Sequence, residues 1–434
     1  DISYAVSGLL DENMGDTCPQ SIIDALPDYT ADEIREAYDE LYELKKAGQL
    51  FAQDDYIDVS RYIPVNAPVK ALCLHVAHDC NLRCKYCFAS TGDFGQGRKI
   101  MPSEIAKKAI DFVIARSGVR HNIEVDFFGG EPLMAWDTVT QTVDYARSLE
   151  DKYNKKFRFT ITTNGLLLDE DKRKYINENM DNCVLSLDGR REVNDEFRKT
   201  VAGTGSYDTI VPKFKALVDE RDPNLDYYAR GTFTSHNLDF AEDVLSIADA
   251  GFDRLSVEPV TADPGCGYDL TEDDLPKIEA EYDRLTDIML ERKKEGKPFT
   301  FFHFMVDLDQ GPCVVKRLRG CGAGYEYVAV TPDGDIYPCH QFVGKDEFKQ
   351  GSVLDQSFNM DIAQKFAGMN IYSRPKCQKC WAKFYCSGGC SAANYNMNHD
   401  MNDSYDLGCE MERKRLECAI YLKAMDKICA NQSK

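Results

Sequence analysis

Long apolar runs are missing from this 434-residue chain. None approaches the ~20 residues that a helix needs to cross a bilayer. A helical membrane protein is therefore excluded, and no membrane partner is expected. Positive charge is also scarce: 52 Lys and Arg stand against 73 Asp and Glu, for a net charge of −21. A surface this acidic repels a polyphosphate backbone, so nucleic acid is not an expected partner. The most acidic stretch, Thr271 to Glu281, reads as the solvated face of a helix. Low-complexity segments are absent, and no internal repeat stands out beyond a β/α alternation. The first residue is Asp1 rather than Met, so a preceding segment, a signal peptide included, stays open. Nothing in the chain itself points to export.

What the chain has is apolar residues and cysteine. At 43% hydrophobic it can bury a sizeable core. Its length allows two to four domains at about 100–200 residues each. Seventeen cysteines is a high count. In a small secreted protein they would mean disulfides. Here they fall in metal-ligand spacings, which in a reducing compartment means a metal or a cluster. The expected location is the cytoplasm, in an anaerobe, because exposed clusters are damaged by oxygen.

Three of the cysteines, Cys80, Cys84 and Cys87, have CxxxCxxC spacing directly after the apolar run Ala71 to Ala77. Zinc usually takes four ligands, often in CxxC pairs. Three buried free thiols are another reading. Three thiolates can also hold three irons of a cubane 4Fe–4S cluster, leaving the fourth iron without a protein ligand.

Residues 1–62 read as a small helical module. Ile2 to Leu10 and Gln20 to Leu26 are apolar-periodic, and Thr30-Ala31-Asp32-Glu33 is a capping-box start. The helix it opens runs to about Lys46, with Ile34, Tyr38, Leu41 and Leu44 at helical spacing and Gly48 placed to end it. Tyr56 to Val59 suits a short strand.

Residues 67–298 alternate short β-rich runs with helical ones. The runs are 72–77, 123–128, 157–163, 184–187, 227–234 and 254–258; the helices are 102–116, 136–152, 170–179, 207–220, 239–250 and 271–294. Six β/α units predict a parallel α/β sheet curled into an open, partial barrel. Its functional residues belong at the C-terminal ends of the strands. The three-cysteine loop follows the first strand, as that rule requires. Residues 299–434 change character, with dense cysteines, a hairpin signal at Pro332-Asp333-Gly334-Asp335 and a final helix from Met411 to Cys429.

The cysteine loop, with Tyr86 just before its third Cys, resembles the cluster loop of radical S-adenosylmethionine (SAM) enzymes. Gly129-Gly130-Glu131-Pro132 after the second strand resembles that family's GGEP motif, which contacts the methionine amino group of SAM. Thr162-Thr163-Asn164-Gly165 and Ser186-Leu187-Asp188-Gly189 resemble its third and fourth strand ends. The resemblance makes Thr163, Asn164, Ser186 and Asp188 candidates for SAM contact. Arg198 could neutralise the SAM carboxylate; a surface salt bridge is the equal alternative. Arg230, Thr232 and Glu258 end strands five and six and should face the cavity, each with a purely structural alternative. The resemblance implies that the reduced cluster splits SAM, giving a 5′-deoxyadenosyl radical that abstracts hydrogen from a substrate.

Near the C-terminus, Cys321 and Cys339 flank Gly334, followed by C-x2-C-x5-C-x3-C from Cys377 through Cys380 and Cys386 to Cys390, and by Cys409. This resembles the SPASM domain of radical SAM peptide-modifying enzymes; a zinc ribbon on Cys377 and Cys380 is the alternative. By resemblance, one auxiliary 4Fe–4S cluster takes Cys321, Cys339 and Cys390, with Cys313 as fourth ligand. A second takes Cys377, Cys380, Cys386 and Cys409, making three clusters with the SAM cluster. Most of the remaining cysteines, Cys18, Cys73, Cys183, Cys266, Cys418 and Cys429, read as small buried hydrophobes. If Cys313 can leave, the open iron could take a substrate thiolate. His340, next to Cys339, could take a proton, with a packing His as the alternative.

The stretches Phe299–Phe304, Gly311–Cys313, Tyr327–Pro332 and Cys339–Gly344 resemble the maturases of six-cysteines-in-forty-five (SCIFF) peptides. That resemblance implies thioether formation between a Cys sulfur and a carbon of an acceptor residue in a ribosomal peptide. It implies a Cys-rich precursor peptide with a leader as partner, and an external one-electron reductant of flavodoxin or ferredoxin type. It also makes residues 1–62 the remnant of a winged-helix peptide-recognition module. Two alternatives stay open. One is a formylglycine-forming sulfatase maturase, in which an Asp stands where His340 is here. The other is a non-catalytic electron carrier with three clusters.

Overall fold

A computed structural model describes residues 2–54, 56–58, 67–308 and 313–432, the last three by backbone alone. The chain divides into two compact units, Asp1–Arg61 and Tyr62–Lys434.

The first unit holds three helices, α1 (Ile2–Ser7), α2 (Gln20–Ala25) and α3 (Ala31–Lys46). The capping box forms as its sequence dictates. Glu33 N donates to Thr30 Oγ1 at 3.3 Å, and Thr30 N donates back to the Glu33 carboxylate at 2.9 Å. Ile34 and Tyr38 bury against Val6, Met14 and Ile22. Leu44, expected on this apolar face, is exposed. The chain reverses there, with Gln49 N and Leu50 N both donating to Leu44 O, and Leu50 packs at the core edge instead. Tyr56 to Asp58 form no strand, and Val59 lies outside the described residues, as do Gly311 and Pro312. No strand of a winged helix occurs among the described residues of this unit.

The second unit is built on one sheet. Its strands are β1 (Ala71–His78), β2 (Lys99–Ile100), β3 (Asn122–Gly129), β4 (Lys156–Thr163), β5 (Asn182–Ser186), β6 (Asp226–Phe233) and β7 (Arg254–Pro259). Past residue 299 come β8 (Thr300–Phe301), β9 (Tyr327–Val330), β10 (Asp335–Tyr337), β11 (Gly351–Ser352) and β12 (Ser357–Phe358). The order is β12-β11-β10-β9-β1-β3-β4-β5-β6-β7-β8, with β2 beside β1. Strands β1 and β3 to β8 are parallel. Helices α4 (Ser103–Arg116), α5 (Trp136–Tyr153), α6 (Glu170–Asn179), α7 (Arg191–Phe197), α8 (Tyr207–Asp219), α9 (Phe240–Asp249) and α10 (Leu275–Lys294) follow β1 to β7.

The period-2 alternation of the strands explains the layering. Ile123, Val125 and Phe127 of β3 and Phe157, Phe159 and Ile161 of β4 form one core with Ile110, Val113, Val139 and Val143 of the helices. The alternate positions, Cys73, His75, Asp126, Phe128, Thr160 and Thr162, fall on the opposite, concave face. Strand β1 is buried along its whole length and pairs on both sides.

The partial barrel forms as its six β/α units predict. The short α7, β2 and β8 carry no sequence signal strong enough to anticipate them. The sheet does not stop at residue 298. Strand β9 pairs parallel to β1, from Ala71 opposite Tyr327 to Leu74 opposite Val330, so the C-terminal hairpin covers an edge that would otherwise be unpaired. Gly334 makes that hairpin's turn at φ +87°. The final helix is longer than expected, Asp406–Gln432, and packs along α10. The acidic stretch is not wholly solvated: Glu281 accepts from Ala241 N at 3.1 Å and pairs with Arg284 at 2.8 Å. Among the described residues, no helix is long and apolar enough to cross a membrane.

Candidate active site

The C-terminal ends of the parallel strands surround one cavity. Cys80, Cys84 and Cys87 line it, together with Gly129, Gly130 and Glu131 after β3, and Thr163 and Asn164 after β4. Ser186, Asp188, Arg198, Arg230, Thr232, Glu258 and His340 line it too. Residues distant in sequence are thus gathered as the strand-end rule requires. Pro132 is buried beneath the cavity at the start of a short 3-10 turn and does not line it.

Helix α7 explains how the cysteine loop is held. The segment leaving it forms a ledge: Arg83 N donates to Lys199 O at 2.7 Å and Lys85 N to Phe197 O at 3.1 Å. At the other end, Cys80 N donates to Asp79 Oδ1 at 2.8 Å, and Asp79 pairs with Arg98 at 2.9 Å. The glycines let the next loop lie directly on β1. A Cβ on Gly129 would stand 2.2 Å from Ala77 O, and one on Gly130 would stand 2.1 Å from Asp79 O. Gly130 N and Glu131 N donate to those same two carbonyls at 2.7 and 2.9 Å.

Glu131 is 1% exposed and already well bonded. It accepts from Leu133 N at 3.0 Å, Thr163 Oγ1 at 2.7 Å and Asn164 N at 2.7 Å. Burial pushes its carboxyl up, and these donors only partly offset that. It therefore pins the Gly-Gly loop to the end of β4, with one lone-pair direction left for a ligand. Asn164 reaches on to the cysteine loop, donating to Asn81 Oδ1 at 2.7 Å.

Arg198 is buried, not on the surface. Its Nη1 donates to Tyr86 Oη at 3.0 Å and lies 3.9 Å from Asp188, while its Nε is buried without a partner. Tyr86 donates to Asp188 Oδ2 at 2.6 Å, and Thr232 N donates to Oδ1 at 3.2 Å. Burial pushes Asp188 up to about 6, against the pull of Arg198 and Tyr86. The expectation of a SAM contact at Asp188 thus meets a side chain already engaged on both oxygens.

Arg230 and Glu258 pair with each other, Nε to Oε1 at 3.1 Å and Nη2 to Oε2. His340 packs at a tilt against Phe128 and Phe88, with ring centroids 5.1 and 5.4 Å away, and meets Tyr327 Oη at 3.3 Å through Nδ1. Burial, with Arg230 nearby, lowers it to about 4, so the ring is neutral near pH 7. Gln341 and Asn396 complete the wall. Asn396 carries no sequence signal, and Gln341 had only its place beside His340.

The cysteine sets fit iron–sulfur ligation. Among the described residues, no three His, Cys, Asp or Glu side chains are grouped to hold a single ion. A cluster binds each of its thiolates at a different iron, so its ligands are spread around it. Burial pushes Cys80 up to about 12 and Cys84 up to about 11, so these thiols would ionise near neutral pH only with a cationic centre bound to them. Cys377, Cys380, Cys386 and Cys409 line a second cavity together. Burial pushes the Cys339 thiol up, and Cys390 and Cys321 are near enough to add to that. Cys313 is exposed, as are Cys321 and Cys390, and stands at the start of the turn Val314–Arg317, which packs against Lys383–Cys386. Of the other six cysteines, Cys73, Cys183 and Cys418 are buried, whereas Cys266 and Cys429 are exposed.

Two family models match the chain. Residues 74–228 match the radical SAM superfamily, and residues 321–381 match the SPASM iron-sulfur cluster-binding domain. It is a radical SAM enzyme with an SPASM domain. SAM, a 4Fe–4S cluster and auxiliary clusters are its cofactors. Cys386, Cys390 and Cys409 lie beyond the matched SPASM segment. A cysteine-type anaerobic sulfatase-maturating enzyme of Clostridium novyi is 25% identical over 76% of this chain and 90% of its own. The radical SAM cyclopropyl synthase TigE of Paramaledivibacter caminithermalis is 24% identical over 76% of this chain and 70% of its own. The solved structure of native anSMEcpe with bound AdoMet covers 85% of this chain and all of its own, with a TM-score of 0.69 at 21% identity, and so shares its fold.

Proposed function

We propose that this radical SAM/SPASM enzyme modifies a ribosomally made, Cys-rich precursor peptide by joining a Cys sulfur to a carbon of another residue. The observation that carries this reading is the shared cavity. Its walls come both from the strand ends that hold Cys80, Cys84, Cys87 and Arg198 and from His340, Gln341 and Asn396 beyond residue 299. A substrate residue there lies between the SAM site and the Cys339 hairpin. When bound, SAM on the reduced cluster supplies a carbon radical that removes hydrogen from the substrate.

The chain's own residues bind and shield. Cys80, Cys84 and Cys87 hold the cluster, and Gly129, Gly130 and Glu131 shape the wall where the methionine end of SAM would sit. Arg198, with its unpartnered Nε, offers charge to a carboxylate. Arg230 and Glu258 fix the far wall. His340, neutral and beside Cys339, stands where a substrate thiol would release its proton. Cys321, Cys339 and Cys390 form one auxiliary set, with Cys313 its outlying member, and Cys377, Cys380, Cys386 and Cys409 the other. A flavodoxin- or ferredoxin-type protein in a reducing cytoplasm would supply the electron.

The test is mass spectrometry after anaerobic incubation of the fully loaded enzyme with SAM, dithionite and a six-Cys peptide encoded nearby. Thioether formation removes two hydrogens per ring and leaves that Cys unable to be alkylated. SAM cleavage with the peptide unchanged discards this substrate. No SAM cleavage at full iron loading leaves an electron carrier.

A second reading is supported by the sulfatase-maturating relative: oxidation of a Cys or Ser in a sulfatase to formylglycine. His340, in place of the Asp of that group, argues against it. Incubation with a sulfatase peptide separates the two, since formylglycine yields an aldehyde that a hydrazine traps.

A further inference from the structure

Arg374 precedes the turn Pro375–Gln378, which carries Cys377, and is only 2% exposed. Its Nη1 donates to Gly388 O at 2.7 Å, its Nη2 to Ser391 Oγ at 3.0 Å and its Nε to Met401 O at 3.3 Å. None of these partners carries charge. A guanidinium cannot shed its proton in a protein, and burying a charge without a counter-charge is expensive. Its compensation must come from something else nearby.

The partners show what that is. Gly388 lies between Cys386 and Cys390, and Ser391 follows Cys390. Cys377 N donates to Arg374 O at 3.0 Å. A Cβ on Gly388 would stand 2.2 Å from Arg374 Nη1, so the loop between the two cysteines is wrapped directly onto the guanidinium. Burial lowers Arg374, and the groups that push it back up are Cys377, Cys386, Cys390 and Cys409. Three of these belong to one proposed auxiliary set and Cys390 to the other.

We propose that Arg374 is the fixed counter-charge of both auxiliary cluster sites, placed between them to favour their reduced, more negative states. The inference rests on the ligand sets proposed above. Reduction adds negative charge to a cluster. A cation held nearby in a poorly screened interior stabilises that charge and raises the reduction potential. Arg374 would act through the clusters without touching substrate, as a positioning residue for electrons. Its planar fork also holds the 386–390 loop, so charge and bracing must be tested separately.

The experiment is an anaerobic redox titration, followed by electron paramagnetic resonance, of the reconstituted full chain. A C80A/C84A/C87A background silences the SAM cluster, and iron content is measured for every sample. R374Q keeps hydrogen-bond donors but loses the charge; R374K keeps the charge but loses the fork. The expected result is that R374Q reduces at a more negative potential while R374K titrates close to the parent. Loss of iron from R374Q but not from R374K points the same way. Three results overturn the proposal: R374Q with full iron at the parental potential, R374K shifted as far as R374Q, or iron lost equally from both. A parent that takes up no auxiliary iron instead defeats the ligand sets beneath the proposal, and shows this before any Arg374 variant is made.

Discussion

Tyr86 Oη and Asp188 Oδ2 stand 2.6 Å apart, and this bond ties the cysteine loop to the segment that leaves β5. The same phenol accepts from Arg198 at 3.0 Å, so one hydroxyl orders an acid and a base that share a buried wall. Y86F removes both bonds and leaves Asp188 short of a donor. Orphaning a buried polar group costs about 1–3 kcal/mol, so denaturant unfolding should show a loss of that size. SAM affinity, measured by equilibrium binding to the loaded enzyme, should fall as well, because Arg198 loses its anchor. Unchanged stability and affinity would mean that water replaces the hydroxyl.

Gly129 and Gly130 are needed for close approach. A Cβ at either would come within 2.2 Å of a carbonyl oxygen of β1 or its following loop. Gly129 also has φ +123°. Backbone strain of this kind costs roughly 1–3 kcal/mol before any clash is counted. G129A should therefore lower the melting temperature and weaken iron retention in the Cys80 loop together, measured by calorimetry and iron assay. A variant that melts early but keeps its iron would separate the loop's packing from its ligation.

The sheet was readable because hydrophobic period and turn chemistry are local. The runs around Val125, Phe159 and Leu185 alternate or cluster as strands do, and the helices between them carry long periodic faces. The CxxxCxxC and GGEP stretches were readable because few backbones allow those residues in those orders. What was hidden is relational. Nothing near Tyr327 announces that β9 will pair with β1, because parallel pairing across some 250 positions leaves no short-range mark. Arg198 offered two readings in sequence, and only the folded chain decides between surface and interior. Cys321 and Cys339 share one spacing pattern, yet one is exposed and the other buried.

His236 gives the fold a dependence on pH. Its Nδ1 meets Glu196 Oε1 at 2.8 Å and its Nε2 meets Gly267 O at 2.8 Å. Both partners only accept, so both ring nitrogens donate and the ring is an imidazolium. Its bond to Glu196, then that to Gly267, hold it above the ordinary histidine range. A raised folded value stabilises fully below the unfolded value of about 6.5, and that contribution is lost as pH rises through the folded value. The ring is 41% exposed, so solvent keeps the effect small. The melting temperature should decline gently across neutral pH, and H236Q should flatten the decline. Because His236 Nε2 holds Gly267 O at 2.8 Å, the same variant should speed proteolysis of the 263–268 loop.

Arg230 and Glu258 form a two-point pair across β6 and β7. Burial pushes Glu258 up, but Arg230 more than offsets it and leaves the carboxylate below its usual range. Removing one partner strands the other, so R230M and E258Q should each lower stability. The double variant should recover part of that loss. If the pair only braces the wall, peptide modification should recover with it. If either group orders the substrate, the double variant should regain its melting temperature and still fail to modify the peptide. Calorimetry and product mass spectrometry on the same three variants decide this.

Cys313 differs from Cys339 among its proposed co-ligands: Cys339 is buried, whereas Cys313, like Cys321 and Cys390, is exposed, and it stands at the start of a short turn. A ligand so placed can leave at little cost to packing. The vacated iron would take a substrate thiolate and deprotonate the thiol outright. C313A should therefore keep nearly all of its auxiliary iron, and C339A should lose one cluster's worth. Adding a Cys-containing peptide should change the cluster spectra of the parent and of C313A, and a peptide with Ser in place of Cys should change neither. Equal iron loss in the two variants, with no spectral response to the thiol, would instead make Cys313 a permanent fourth ligand and move substrate sulfur away from this cluster.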